Sequence, residues 1–288
     1  MAWKLLRASP GRLANALALA AVAVFMTGQA MAQQRPGTAV IRDLPYGPST
    51  AQRMDIYLPA HPQNAPVLFM VHGGGWARGD KTATNVVANK IARWVPQGYI
   101  FISVNNRLLP EADPLEQADD VAKALAVAQS GARSWGGDPA RFVLLGHSAG
   151  AHLVALLAAD PAISARQGAK PWPGTIALDS AALDIVEIMQ RGHFRLYDSA
   201  FGADPAYWRN ASPIHRLTAA TAPLLLVCSS RRTDSCPAAQ RFAEKAISKG
   251  GRATVLPVAL THGEINNELG LPGPYTNDVE RFLQSLGL

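Results

Sequence analysis

The pentapeptide Gly146-His147-Ser148-Ala149-Gly150 stands between an apolar run at 141–145 and an Ala/Leu-rich stretch at 151–159 that reads as a helix. A serine held on the turn from a buried strand into a helix presents its hydroxyl as a nucleophile, and flanking glycines keep so tight a turn free of clashes. The helix that begins at Ala149 directs its free N–H groups toward any negative charge that forms beside the serine. Without that context the pentapeptide would fit an ordinary strand-to-helix loop.

A second glycine cluster, His72-Gly73-Gly74-Gly75-Trp76, follows the apolar run at 66–71. Backbone N–H groups in such a loop approach a ligand unobstructed, which suits them to half of an oxyanion hole. The loop lacks the G-x-G-x-x-G or G-K-[ST] pattern of a phosphate cradle.

A serine hydroxyl needs a base, and the base needs an acid to orient it. Of His152, His193, His215 and His262, only His262 follows the last strand-like run, at 254–259, and precedes the closing helix at 277–286. The expected acid lies after the run at 223–228, where Asp234 is the sole carboxylate, its alternative role being a helix N-cap ahead of Pro237. Asp179 and Asp184 are held in reserve.

The elements that must position these groups alternate. Strand-like runs fall at 40–43, 54–58, 66–71, 99–104, 141–145, 176–179, 223–228 and 254–259, with helical patterns at 84–94, 115–127, 151–159, 239–248 and 277–286. This alternation predicts an α/β fold in which a mostly parallel sheet carries helices on both faces, its first two strands antiparallel. The segment 185–217 breaks the pattern and contains Phe194, Tyr197, Phe201, Tyr207 and Trp208. An excursion of that length predicts a cap beside the site, or a surface segment that only packs.

Residues 1–32 combine Lys4, Arg7 and Arg12 with an apolar run at 16–26 and Ala30-Met31-Ala32, the pattern of a secretory signal peptide. The remaining 33–288 reads as one domain, periplasmic or secreted, without stable membrane association. Of the formal charge of +6, three units belong to that segment, and the remaining basic residues are scattered, which argues against nucleic-acid binding. An oxidising compartment permits Cys228 and Cys236 to pair across a loop. Such a disulfide would brace Asp234.

Taken together, His72-Gly73-Gly74-Gly75-Trp76, Gly146-His147-Ser148-Ala149-Gly150, Asp234 and His262 resemble the carboxylesterases of the α/β-hydrolase superfamily, over essentially all of 40–288. Within that superfamily the likeness is to hormone-sensitive-lipase-like, feruloyl and acetyl esterase-like and arylformamidase-like proteins. The resemblance implies an α/β-hydrolase fold, an acyl-enzyme mechanism on a small-molecule ester, and no metal or organic cofactor. It also implies oxyanion donors at the N–H groups of Gly74, Gly75 and Ala149, with Trp76 the alternative to Gly74. Trp76, His147, Phe194, Tyr197 and Trp208 are the expected pocket residues. Two departures are evident: Asn106 replaces the usual tyrosine in Asn105-Asn106-Arg107-Leu108-Leu109-Pro110-Glu111, and His147 replaces the acidic residue of the hormone-sensitive-lipase-like enzymes. Both bring the chain nearer the feruloyl-esterase-like and arylformamidase-like relatives. Arg107 is expected to be structural, paired with Glu111, Asp119 or Asp120. The alternatives are an arylformamidase-type amidase using the same residues and an inactive binding module. Oligomeric state is unassigned.

Overall fold

A computed structural model describes residues 38–288, so the signal-peptide expectation for 1–32 lies outside the described residues. The frame is an eight-stranded sheet in the order β1-β2-β4-β3-β5-β6-β7-β8. β1 (Ala39–Pro45) pairs antiparallel with β2 (Arg53–Leu58), which pairs antiparallel with β4 (Ile100–Val104). From β4 onward every pairing is parallel, through β3 (Ala65–Val71), β5 (Gly137–His147), β6 (Gly174–Leu178), β7 (Leu224–Ser229) and β8 (Ala253–Val258). The α/β architecture expected from the alternation is the one observed, and its strand order agrees with the α/β-hydrolase fold that the resemblance implies.

The central strands are apolar on both faces because both are covered. On β3, Val67, Phe69 and Val71 pack into one core with α2 (Pro114–Gly131) and α3 (Ala149–Ala159), while Leu68 and Met70 pack into another with α1 (Thr84–Trp94) and α11 (Pro274–Ser285). The start of α2 is set locally. Asp113 accepts from the N–H groups of Leu115 and Glu116, Glu116 reaches back to the N–H of Asp113, and Pro114 occupies the first helical position. Arg107 forks onto Asp120 at 2.7 and 2.9 Å and Glu111 accepts from Ser49, so of the three expected partners Asp120 is the one.

After α3 a short α4 (Pro161–Arg166) is capped by Asp160. The excursion at 185–217 folds into four short helices, α5 (Ile185–Met189), α6 (Arg195–Phe201), α7 (Pro205–Asn210) and α8 (Pro213–Arg216). Helix α9 (Ser235–Ser248) starts four residues earlier than its apolar pattern suggests, which shortens the loop after β7. A further helix, α10 (His262–Glu268), separates β8 from α11 and was not legible as hydrophobic periodicity. Its start is a T-x-x-E capping box: Thr261 accepts from the N–H of Glu264, and Glu264 accepts from that of Thr261 at 2.7 Å. Among the described residues no helix is long and apolar enough to cross a membrane.

Candidate active site

Ser148 sits at φ 57°, ψ −117°, at the junction of β5 and α3, a strained conformation for a residue with a side chain. The turn closes so tightly that a methyl group on Gly146 would fall on the carbonyl of Gly150, and one on Gly150 would fall on the carbonyls of Val71 and His72. Those two approaches explain both glycines of the pentapeptide, and they dock the elbow against the end of β3, where the loop 72–76 begins.

The Ser148 hydroxyl lies 3.0 Å from His262 Nε2, and His262 Nδ1 lies 2.6 Å from Asp179 Oδ2. The hydroxyl donates to Nε2 while Nδ1–H donates to the carboxylate. The capping box positions the base, since His262 is the first residue of α10 and its carbonyl accepts from His147 Nε2 at 2.9 Å. The preceding Leu260 carbonyl accepts from Ser229 Oγ.

The carboxylate that partners His262 is therefore Asp179 and not the expected Asp234. Asp179 follows directly on β6, at φ 52°, a left-handed conformation that aspartate tolerates better than most side chains, and is completely buried. Besides His262 it accepts from Ser229 N–H at 2.7 Å, Arg232 Nη1 at 2.7 Å and the Ser235 hydroxyl. Burial alone would raise its pKa, but bonds from His262, Ser235, Ser229 and Arg232 outweigh that penalty and hold the carboxyl well below the usual carboxylate range. Asp234, one-third exposed, accepts from Arg232 Nη2 at 3.0 Å and makes no side-chain cap bond at the start of α9, so it is neither His262's partner nor the capping residue. Asp184 caps α5 through the N–H of Glu187 and pairs with His215, which takes it out of reserve.

Cys228 and Cys236 are joined, with Cα atoms 5.0 Å apart. Contrary to the expectation from sequence, the ring they close does not carry the carboxylate that meets His262; the Asp234 it does carry binds Arg232. The ring carries three of that carboxylate's donors instead: Ser229, Arg232 and Ser235.

Trp76 supports the glycine loop. Its φ of 59° is unusual for a bulky residue, and the strain is held by bonds to its carbonyl from Leu109 N–H and Gln117 Nε2, both 2.9 Å. Its indole N–H donates to His152 Nδ1 at 3.1 Å, and His152 Nε2–H donates to the Ala211 carbonyl at 2.7 Å. His152 thus ties the loop, α3 and the excursion together. Burial pushes its pKa down to about 4, so the ring is neutral and can accept from one neighbour while donating to the other. His147, buried beside His262 with ring centroids 4.5 Å apart, is pushed down to about 3 by burial and by the neighbouring imidazole.

These groups line a cavity of about 790 Å³ with Gly74, Gly75, Ala149, Trp76, His147, Phe194, Tyr197 and Arg232 in its walls. Tyr197 and Phe201, one turn apart on α6, face the Trp76 ring at 5.8 and 4.8 Å, and Phe194 projects at the rim, 73% exposed. Trp208 does not reach the cavity. Its indole N–H bonds the carbonyls of Phe201 and Gly202, so it braces the excursion from behind. Arg232 was missed by the sequence reading. Its only signal was being a basic residue in the loop searched for an acid.

Residues 54–168, from β2 through α4, match the BD-FAE family model. The chain is 32% identical over 231 residues to esterase LipQ of Mycobacterium tuberculosis, covering 74% of this chain and 54% of that protein. It is 29% identical over 153 residues to kynurenine formamidase of Danio rerio, covering 52% and 49%. The chain spans about half the length of these curated relatives. Among solved structures, a truncated carbohydrate esterase from gut microbiota superimposes with a TM-score of 0.73 at 17% identity, covering 88% of this chain and 98% of that one. Apo Thermogutta terrifontis esterase 2 gives 0.69 at 20%, covering 88% and 96%. The glycine loop and the nucleophile elbow both lie inside the matched family region, and together these likenesses support an α/β-hydrolase carboxylesterase family for the chain.

Proposed function

We propose that the protein hydrolyses carboxylic esters of small molecules by two-step acyl transfer, with Ser148 as nucleophile, His262 as general base and Asp179 as the acid that orients it. The observation that carries this reading is the continuous hydrogen-bonded chain Ser148–His262–Asp179 in the wall of an open cavity. Ser148 Oγ attacks the ester carbonyl while its proton passes to Nε2. The resulting imidazolium is stabilised by Asp179 and gives that proton to the departing alkoxide. Water then adds to the acyl-enzyme through the same base and releases the acid and free Ser148.

Negative charge on the tetrahedral oxygen is met by N–H groups of Gly74 or Trp76, Gly75 and Ala149, the last at the N-terminus of α3. His147, neutral throughout the working pH range, fixes the His262 backbone and takes no proton. Likeness to kynurenine formamidase supports a second reading, in which the same residues cleave an N-formyl aryl amide.

The test compares p-nitrophenyl acetate with an N-formylarylamine substrate and adds an organophosphonate probe. Ester turnover with labelling of Ser148, both abolished in Ser148→Ala, is the expected result. Turnover that survives in Ser148→Ala would refute it. Export to an oxidising compartment is part of the proposal, supported by the 1–32 pattern and by the Cys228–Cys236 bond.

A further inference from the structure

The loop after β7 carries Arg232 two residues before Asp234, and this basic residue contacts both the acid and the base. Arg232 Nη1 lies 2.7 Å from Asp179 Oδ2 and 2.9 Å from His262 Nδ1, so guanidinium and imidazole donate to the same carboxylate oxygen. Its other nitrogen, Nη2, is held by Asp234. We propose that Arg232 is a positioning residue that locks the Asp179 carboxylate against His262 and sets a fixed positive charge beside the imidazole, with Asp234 as the counter-ion that holds and partly neutralises it. The inference rests on the reading of Ser148, His262 and Asp179 given above.

Chemically the arrangement works in two directions. One guanidinium N–H on Oδ2 and a hydroxyl on Oδ1 fix the Asp179 carboxylate, which holds Nδ1–H in the tautomer that frees Nε2 to accept. The same cation places a fixed positive charge 2.9 Å from His262 Nδ1. Burial works against the Arg232 charge, but Asp179 and Asp234 more than offset it, so the guanidinium stays charged at every pH of interest. The disulfide closes the ring from which Arg232 projects and limits how far it can withdraw.

The other groups facing His262 leave room for this effect. Asp179 comes from the end of β6 and neutral His147 from the end of β5. On α10 itself Glu264 faces outward to Arg231. Half-buried Tyr197 on α6 and Tyr275 on α11 have hydroxyls pushed up by desolvation and stay protonated. Lys90 on α1 is directed to the Asn266 carbonyl and reaches the site only through His147.

The experiment follows Ser148 labelling by an organophosphonate as a function of pH in the full chain, which needs no knowledge of the natural substrate. A unit charge about 4 Å away in water-like surroundings moves a titration by roughly 0.7 pH units. Arg232→Gln is therefore expected to raise the acid-side midpoint by about that amount, whereas Asp234→Asn, which leaves the guanidinium less neutralised, lowers it by a smaller step. Arg232→Lys keeps the charge without the fork, so its midpoint stays near wild type while its limiting rate falls; it also serves where the glutamine variant fails to fold. Opposite displacements by the two neighbouring variants support the proposal, because loss of loop packing alone slows all variants without moving the midpoint. Slower labelling with unmoved midpoints would overturn it. Absence of Ser148 labelling in the wild type is a different failure, which removes the reading of the site and this inference with it.

Discussion

Asp179→Asn against Asp234→Asn is the sharpest test of which carboxylate serves His262. Asp179 is fully buried and takes four donors, two on each oxygen: Ser229 N–H and the Ser235 hydroxyl on Oδ1, Arg232 and His262 on Oδ2. An amide in its place has one acceptor oxygen, so one of these pairs must face an NH₂ group whichever way the amide turns. If that pair is the Oδ2 pair, His262 Nδ1 is forced to accept and Nε2 carries the proton, the wrong tautomer for taking one from Ser148. If it is the Oδ1 pair, the geometry survives but the imidazolium formed in the transition state has lost its counter-charge. Either outcome predicts a fall in kcat of about 10⁴, close to 5.5 kcal/mol on the barrier at about 1.4 kcal/mol per tenfold.

Asp234→Asn removes only a one-third-exposed partner of Arg232 and should leave kcat on p-nitrophenyl acetate at pH 8 within about tenfold of wild type. Stopped-flow and steady-state hydrolysis at 25 °C measure both, with circular dichroism to confirm folding, because breaking a buried charge network costs about 3–5 kcal/mol of stability. Asp179→Asn within tenfold of wild type while Asp234→Asn loses several decades would refute the assignment and return the role to Asp234. A pH dependence of stability accompanies it. The Asp179 carboxyl is depressed in the folded state, so its contribution is complete above the unfolded aspartate value of about 3.9 and is lost as pH falls through the folded value. The wild type should lose stability below about pH 4 more steeply than Asp179→Asn, as read by urea midpoints across that range.

His152→Leu strands the Trp76 indole N–H and the Ala211 carbonyl in the core, at about 1–3 kcal/mol each, and should lower Tm by roughly 5–15 °C in a thermal scan. Replacing both Cys228 and Cys236 by serine releases the ring that supplies Ser229, Arg232 and Ser235; chain entropy alone predicts a loss of about 2–3 kcal/mol, and full retention of kcat would show that the ring does not position Asp179. Phe194→Ala should change the acyl-length profile on p-nitrophenyl esters and leave Tm nearly unchanged, while Trp208→Ala, behind the cavity wall, should do the reverse. Lys90, almost fully buried with only carbonyl partners, is pushed down to about 7 by burial, below its unfolded value, so its charge costs stability below that pH and the cost fades as pH rises toward about 10. Lys90→Met should accordingly exceed the wild type in urea midpoint at pH 6, with the gap narrowing by pH 9.

That sequence reading reached the histidine beside Ser148 but not its carboxylate partner has a physical reason. The elbow is a local problem of close backbone approach, solved by Gly146 and Gly150 wherever the rest of the chain goes, and the strand run before it was unmistakable. His262 was reached by chain order, and its local signature, Thr261 followed three residues later by Glu264, also announced the helix that the reading overlooked. The acid depends on distance across the sheet, which chain order does not encode. Strands stand about 4.8 Å apart, so a carboxylate ending β6 lies one strand from the nucleophile strand, and one after β7 lies two strands away. Both positions carried an aspartate, and choosing between them required knowing that Arg232 occupies the near side of the β7 loop and turns Asp234 toward itself. The pocket shows the same limit. Tyr197 and Phe201 share one face of α6, as residues four apart must, and that face meets Trp76, but whether Trp208 on the next helix joined them depended on the turn at Gly202, whose carbonyl its indole binds instead. Residue types alone could nominate both aspartates and all the aromatics; only the strand order and that one turn decide which of them face Ser148.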